Sequence, residues 1–194
     1  MPGGPEVSEE IEHAVHENKG IALLIAVLAL CLAFASAGGK GAQTEAISEN
    51  VESADLWAFY QAKAIRATIL LTAAEMLETE IATESNPAAK TAKEERIKAW
   101  KLTAAGYESE PETHEGRKEL AERAKLAEER RETSLAKYHN YEIASAALEI
   151  GIVLASATII TGMAVLAWIA GGLGIIGLGF IGIALFAPHA VHLF

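Results

Sequence analysis

The sequence predicts an all-α membrane protein, with one apolar segment near its start, a helical hairpin near its end and a charged helical insert between them. Three observations favour this fold class. Of the 194 residues, 51% are hydrophobic and only 22% are charged, which is too apolar for an ordinary soluble domain. The apolar residues concentrate in 21–37 and 144–186, whereas nearly all the charge lies between these ranges. No stretch alternates apolar and polar residues for long enough to predict a strand.

The first apolar segment, IALLIAVLALCLAFASAGGK, predicts a transmembrane helix over residues 21–39, because crossing about 30 Å of hydrocarbon takes about 20 helical residues. The alternative is a secretory signal peptide that ends in the cleavage motif Ala35-Ser36-Ala37. A signal peptide begins with positive charge, but the preceding tail, residues 1–20, is acidic and has no Lys or Arg before Lys19. We therefore expect a retained anchor.

Two further apolar segments follow the insert. Residues 144–169 contain the strongest membrane signal, IGIVLASATIITGMAVLAW, and predict a second transmembrane helix. Residues 172–188 include LGIIGLGFIGIALF and predict a third helix, with a short tail, 189–194, beyond it. We expect a hairpin that turns near Ala170-Gly171-Gly172, and a re-entrant third segment is the alternative.

The insert, residues 40–143, carries alternating charges and predicts a bundle of helices with a solvated outer face. Asn86-Pro87 and the stretch GYESEPETHEG, residues 106–116, divide it into three helical runs. The third run has small and apolar residues at alternating four- and three-residue steps, which predicts a seam for closely approaching helices. The seam comprises Leu120, Ala124, Ala127, Arg131, Ser134, Tyr138 and Tyr141. No breaker follows it, so we expect one helix from about Gly116 to Trp168.

The first run of the insert carries an apolar stripe at three- and four-residue steps, typical of one face of a helix. Its members are Ile47, Val51, Ala54, Ala58, Ala62, Ile65, Ile69 and Met76. Around LWAFY, residues 56–60, the apolar character extends round most of the helix, which other helices or another subunit must cover. Repeated glycines in the third apolar segment favour close helix packing in lipid. We expect helix-packing or oligomer contacts at Trp57, Tyr60, Ile65, Ile69, Ala124, Ala127, Gly171, Gly174, Gly177 and Gly182.

The basic residues predict the orientation of the insert. Except for Lys19, all Lys and Arg lie between Lys40 and Lys137, and several of them adjoin the apolar segments. Because Lys and Arg that flank membrane spans stay on the cytoplasmic side, we expect the insert to be cytoplasmic.

Composition and motifs argue against several functions. A net charge of -10 disfavours nucleic acid as a partner, because phosphates need a basic surface. The single cysteine, Cys31, provides neither an intramolecular disulfide nor a zinc site. The run GLGIIG, residues 172–177, matches the dinucleotide pattern GxGxxG but lacks the strand and the acidic residue that this motif requires. No nucleophile, base or metal-ligand constellation emerges, so we expect neither an enzyme nor a cofactor.

Two polar features are candidate sites. His13 ends an E-x-x-H pattern and His16 lies one turn further on, so loose binding of a divalent metal is the alternative to a solvated acidic tail. Glu149 is the acidic residue that adjoins a span, where a carboxylate serves as a proton relay or an ion ligand. The alternative for Glu149 is a position at the headgroup level, at the edge of the uncharged run.

Three segments carry a resemblance to a known family: AQTEAISENVESADLWAFYQAKAIR, YESEPETHEGRKEL and YHNYEIASAALEIGIVLASATIITGMAVLAW, together with the first apolar segment. In content and order they resemble a bacterial family of small membrane proteins, domain-of-unknown-function family four-three-three-seven. The resemblance covers nearly the whole chain and implies a bacterial inner-membrane protein with two or three spans. It implies no catalytic residues.

Two functions follow as expectations. The first is a non-enzymatic scaffold or accessory subunit of the inner membrane, which packs against copies of itself or joins a larger complex. The second is an oligomeric channel or transporter-like assembly that uses Glu149 and the glycine-rich third segment.

Overall fold

A computed structural model describes residues 5–191, with side chains from residue 19 onward. All regular structure in this part of the chain is helical, which confirms the all-α class. The helices are α1 (Pro5–Ile81), α2 (Pro87–Glu108), α3 (Arg117–Thr161) and α4 (Ala164–Phe186). The two predicted breakers both interrupt the insert where expected, whereas the first apolar segment and the first run of the insert form one uninterrupted helix.

Local chemistry explains the two breaks. The side-chain carbonyl of Asn86 caps α2 by accepting hydrogen bonds from the backbone N–H groups of Ala88 (3.0 Å) and Ala89 (3.4 Å), and proline suits the first position of that helix. At the second break, Ser109 Oγ donates a 2.6 Å hydrogen bond to Glu119, a residue of the first turn of α3. A side-chain cap therefore starts α2, whereas a side-chain hydrogen bond ties the first turn of α3 to the start of the loop before it.

The hairpin turn lies at Gly162 and Met163, so the expected turn near Ala170-Gly171-Gly172 is wrong, as is the expected continuation of α3 to Trp168. Gly162 has a φ of 70°, in the left-handed region that glycine adopts without a steric penalty. Residues 170–172 instead continue α4 as helix. In an apolar helix, water does not compete for the backbone groups, so a glycine pair need not interrupt the hydrogen bonds.

Because the turn lies earlier in the chain than expected, the last helix is longer than expected. α4 contains 23 residues instead of the short segment expected from the sequence, and it carries no charged residue. It is one of three helices that are long and apolar enough to cross a membrane, together with parts of α1 and α3. The re-entrant alternative for the third apolar segment is therefore not needed to explain the length of this helix.

The described residues form two compact units, to which both α1 and α3 contribute. Unit 1 contains the chain up to Ala46 and from Glu132 onward, and unit 2 is Ile47–Arg131. The core of unit 1 joins α1, α3 and α4 through Leu28, Ala35, Tyr141, Ala144, Leu148 and Ala184. Buried Asn140 donates a 3.0 Å hydrogen bond to the carbonyl of Pro188, which ties α3 to the chain beyond α4.

Unit 2 has a smaller core, built where α1 meets the first part of α3. Leu56, Leu120 and Ala124 are buried there, and the rings of Trp57 and Tyr60 pack against them. The predicted seam of α3 is thus largely buried inside the chain, because its alanines allow α1 to approach closely.

Candidate functional site

The apolar stripe predicted on α1 lies on the surface of unit 2. We call Ile47, Val51, Ala54, Ala58, Ala62, Ile65, Ile69 and Met76 the α1 stripe. Its five large side chains, those of Ile and Val and of Met76, are between 54% and 66% exposed. A solvent-exposed surface rarely aligns so many large apolar side chains unless it contacts another molecule. The α1 stripe is therefore a candidate contact surface.

The opposite face of the same helix forms the interior of unit 2. Ser53, Leu56, Lys63, Ala67 and Ala74 are buried there. These residues also recur at three-, four- and seven-residue steps, as one face of a helix must. The buried face thus includes a hydroxyl and an ammonium group, whereas the more apolar face is left open.

Trp57 and Tyr60 anchor the buried face through both packing and polar contacts. Their rings meet edge to face with centroids 5.4 Å apart. The indole Nε1 of Trp57 donates a 2.8 Å hydrogen bond to Glu128 on α3, and the guanidinium of Arg117 lies over the Tyr60 ring and donates to its hydroxyl at 2.9 Å. These rings therefore serve packing within the chain.

Lys63 is the buried cation of unit 2, with only 5% of its surface exposed. Its Nζ lies 3.1 Å from Glu110 and 3.7 Å from Glu115, and it also faces the rings of Phe59 and Tyr107. The hydrogen bond from Lys63 lowers the pKa of Glu110, and a hydrogen bond from Thr113 adds to this effect. Lys63 thereby ties α1 to the loop before α3, and its surroundings satisfy its charge.

The predicted packing residues of the insert divide into two groups. Trp57 and Tyr60 are half-buried and Ala124 and Ala127 are fully buried inside unit 2. Ile65 and Ile69 are 60% and 61% exposed and belong to the α1 stripe. Only the second group is open to another molecule.

The predicted glycines of α4 divide in the same way. Gly174 and Gly177 are buried, and a Cβ atom placed on them would lie 2.6 Å from Leu28 Cδ2 and 2.7 Å from Leu148 Cγ, respectively. Gly171 and Gly182 have nothing within 4 Å of such an atom. Gly171 instead lines an open groove of about 500 Å³ beside Trp168. The GxGxxG run lies wholly within α4, without the preceding strand that a dinucleotide site needs.

Glu149 lies level with the centre of α4. Its neighbour Leu148 contacts Gly177, and Leu28 of α1 lies against both Gly151 and Gly174. These contacts bring Glu149 to the level of the centre of α4, which extends from residue 164 to 186. The edge position expected for Glu149 assumed a span that continued to Trp168. Because α3 ends at Thr161, the carboxylate lies about 18 Å from the end of its helix.

Glu149 belongs to a row of polar side chains on the open face of α3. We call Glu142, Ser145, Glu149 and Ser156 the α3 polar stripe; their spacing of three, four and seven residues places them on one side of the helix. Glu142 and Glu149 are exposed and the two serines are half-buried. Glu142 lies 3.6 Å from His139 Nδ1, whereas Glu149 makes no hydrogen bond or ion pair with any of residues 19–191.

The histidine candidates gain no support from the structure. The side chains of His13 and His16 lie outside the described residues. Within residues 19–191, no three His, Cys, Asp or Glu side chains group as metal ligands would. His189 contacts the Thr133 hydroxyl at 3.2 Å, a contact internal to unit 1.

The model of a protein family described as Domain of unknown function (DUF4337) matches this chain over residues 17–187. The match covers far more than half of the 194 residues. The chain belongs to this family. No curated protein and no solved structure matches it.

In this DUF4337 chain, sequence reasoning found the α1 stripe, whereas the level of Glu149 relative to α4 follows from the contacts of Leu148 and Leu28. Sequence reasoning missed the position of the turn, whose signal is Gly162, a glycine followed by Met163 that divides the apolar stretch into two helices of membrane length. The α3 polar stripe was also missed, although its spacing is legible in the sequence. Two serines within an apolar run do not by themselves indicate a polar face. The stripe becomes apparent only when a carboxylate lies on the same side of the helix.

Proposed function

We propose that this protein is a self-associating integral membrane protein, a structural or accessory subunit, whose α1 stripe is the contact between copies. Unit 1 lies in the bilayer and unit 2 in the aqueous phase. The exposure of the α1 stripe, five large apolar side chains on one helical face, is the observation that carries this proposal. A face of this kind is stabilised when another apolar helix covers it.

The length and regularity of the α1 stripe favour a helix as the occupant. From Ile47 to Met76 the stripe extends along about 44 Å of helix, with apolar members at every turn but one. Its alanines, 54, 58 and 62, lie in the middle, where they allow two helix axes to approach. A small ligand would use a concave pocket instead of a straight ridge.

A second copy of the chain suits the charges that border the α1 stripe. The stripe itself has no charged member, and helical spacing places Asp55, Arg66 and Glu75 at its margins. If two copies contact each other through α1 stripes that run in the same direction, no row of like charges lies in the contact. Copies inserted the same way into one bilayer present their stripes in that direction, and a two-fold contact uses the same surface on both copies.

The bilayer in this proposal is the inner membrane of a bacterium, with unit 2 on the cytoplasmic side. All Lys and Arg other than Lys19 and Lys40 belong to the range 63–137. The loop between α3 and α4, at Gly162 and Met163, has no charge. Lys and Arg on the short flanks of membrane helices stay on the cytoplasmic side, so this uneven distribution favours a cytoplasmic unit 2.

The proposal is tested by native mass spectrometry of the full chain in mild detergent. We expect multiples of the 20.5 kDa subunit for the unaltered protein. The double variant Ile65→Asn, Ile69→Asn should give single subunits, since both side chains are exposed and their replacement leaves the core intact. Leu102→Asn is the matched control, because Leu102 is 74% exposed on α2, outside the stripe. A monomer at every concentration of the unaltered protein would contradict self-association.

The level of Glu149 favours a second candidate function, an oligomeric channel or transporter-like assembly. A carboxylate in the middle of apolar helices is typical of ion and proton pathways. Ion flux into liposomes that contain the protein, lost in Glu149→Gln, would support this function over a purely structural one. Normal flux in that variant would exclude a role for Glu149 in conduction.

A further inference from the structure

We propose that Glu149 binds a small monovalent cation, a proton or Na⁺, at the mid-level of the membrane. The site goes beyond self-association and rests on the membrane placement of unit 1. The first observation is the depth of Glu149 in the membrane. With the turn at Gly162 and Met163 at one membrane surface, Glu149 is about 18 Å along α3, near the middle of a hydrocarbon layer of about 30 Å.

The second observation is the lack of a positively charged side chain near the Glu149 carboxylate. An ionised carboxylate at that depth needs a positive partner, and protein cations are the usual ones. The sequence has no Lys, Arg or His in residues 21–39 or 140–188. A second copy of the chain has the same composition, so it cannot supply such a side chain at this level either. A proton or a bound cation is the partner that remains within assemblies of this chain.

Among residues 19–191, the charged side chains of α1 and of the chain beyond α4 lie far along the helices from the level of Glu149. From α1, the nearest charged residues in sequence to the level of Leu28 are Lys19 and Lys40, each more than about 13 Å away along the helix. Cys31 is the titratable side chain of that part of α1, and it packs against the core cluster of unit 1. From α4, the nearest titratable group is His189, beyond its end, at the contact with Thr133.

On α3 itself, the neighbours of Glu149 are those expected around a cation. Ser145 lies one turn before Glu149 on the α3 polar stripe and offers a hydroxyl oxygen, and Ser156 continues the stripe two turns beyond Glu149. The hydroxyl of Ser156 donates to the carbonyl of Ile152, one turn earlier, and keeps its lone pairs open. Glu142, two turns from Glu149, already has His139 as a neighbour. The stripe therefore presents the hydroxyl oxygen of Ser145 beside one unpaired carboxylate.

The test is labelling of the full chain in liposomes with dicyclohexylcarbodiimide, an apolar reagent that adds to protonated carboxyl groups. Peptide mass spectrometry locates the adduct. We expect labelling at Glu149 that is lost in Glu149→Gln and retained in Glu132→Gln, the matched control, because Glu132 is an exposed carboxylate of α3 outside the α3 polar stripe. The amount should fall as the buffer becomes alkaline.

Added NaCl distinguishes the two cations. Protection of Glu149 by Na⁺ at constant pH assigns the site to Na⁺, whereas dependence on pH alone assigns it to the proton. Labelling that is absent, independent of pH, or no greater than at the aqueous glutamates of unit 2 would overturn the site. Native mass spectrometry of the same sample reports self-association separately, so each proposal can fail without the other.

Discussion

Leu148 packs directly onto the backbone of Gly177. A Cβ atom at position 177 would lie 2.7 Å from Leu148 Cγ, a distance that real Cβ atoms essentially never show, and 3.3 Å from the carbonyl oxygen of Ala144, which is tighter than most real Cβ contacts. Leu148 is fully buried, so it has no free space to move into. This contact sets the distance between α3 and α4, and through the next residue it sets the level of Glu149.

Gly177→Ala should therefore destabilise unit 1. Overpacking of a tight core costs about 1 to 3 kcal/mol, and thermal unfolding in detergent would show it as a lowered midpoint. Gly179→Ala is the control, because nothing lies within 4 Å of its added methyl group. Equal midpoints for the two variants would mean that α3 and α4 do not approach this closely.

Substitutions at two other glycines locate the hairpin turn. Gly162 has a positive φ, so Gly162→Ala should cost about 1 kcal/mol. Gly171 is helical with open space around it, so Gly171→Ala should leave stability unchanged or slightly higher. The midpoints of thermal unfolding measure both effects, and the reverse order would place the turn at Gly171.

Trp57→Phe should lower the stability of unit 2. The variant keeps a ring but loses the 2.8 Å hydrogen bond to the Glu128 carboxylate, and a hydrogen bond to a charged group contributes about 1.5 to 3 kcal/mol. Trp168→Phe is the control, since Trp168 is 83% exposed on α4. Urea unfolding followed by circular dichroism gives both values. An unaffected Trp57→Phe would show that the indole contact adds nothing to stability.

Acid should weaken unit 2 in a defined range. The hydrogen bond from Lys63 lowers the pKa of Glu110 below 4.5 in the folded chain, so the unfolded chain binds the proton more readily. The stabilisation is present above pH 4.5 and is lost as the pH falls through the lower, folded pKa. The pKa values of Glu84 and Glu119 are also lowered, by hydrogen bonds from the Asn86 backbone and from Ser109, and act in the same direction.

Thermal unfolding across this pH range would measure the effect. Glu110→Gln should show a shallower loss of stability in acid than the unaltered protein, because the variant has no carboxylate to protonate. Glu112→Gln, in the same loop, should keep the full slope. If all three proteins follow one curve, the pairing of Glu110 with Lys63 does not contribute to stability.

Cysteine cross-linking would locate the contact between copies. In a background of Cys31→Ser, which removes the native cysteine, Ile69→Cys should form an intermolecular disulfide on mild oxidation in membranes. Leu102→Cys should not, although Leu102 is equally accessible on α2. Efficient cross-linking of both variants would indicate random collision instead of a specific interface.

Composition and local signals were sufficient for the class of fold. Apolar runs long enough to cross a bilayer, a stretch of alternating charge and breakers at Asn86-Pro87 and 106–116 led to the all-α architecture and the divisions of the insert. These features act through nearby residues alone: hydrophobic length, a capping side chain and a proline that suits a helix start. The apolar periodicity of α1 was likewise visible without coordinates.

Packing determined which face of α1 is buried and which face is exposed. The α1 stripe is the more apolar face of its helix, yet Ser53 and Lys63 lie on the buried face, because Glu128 and Glu110 of distant segments satisfy them. Likewise, Gly162 ends α3 whereas Gly171 does not end α4, a choice between glycines that local sequence left open. Contacts between residues far apart in the chain made the first choice, because only folding brings Glu128 and Glu110 to α1. The turn at Gly162 in turn leaves Glu149 level with the centre of α4.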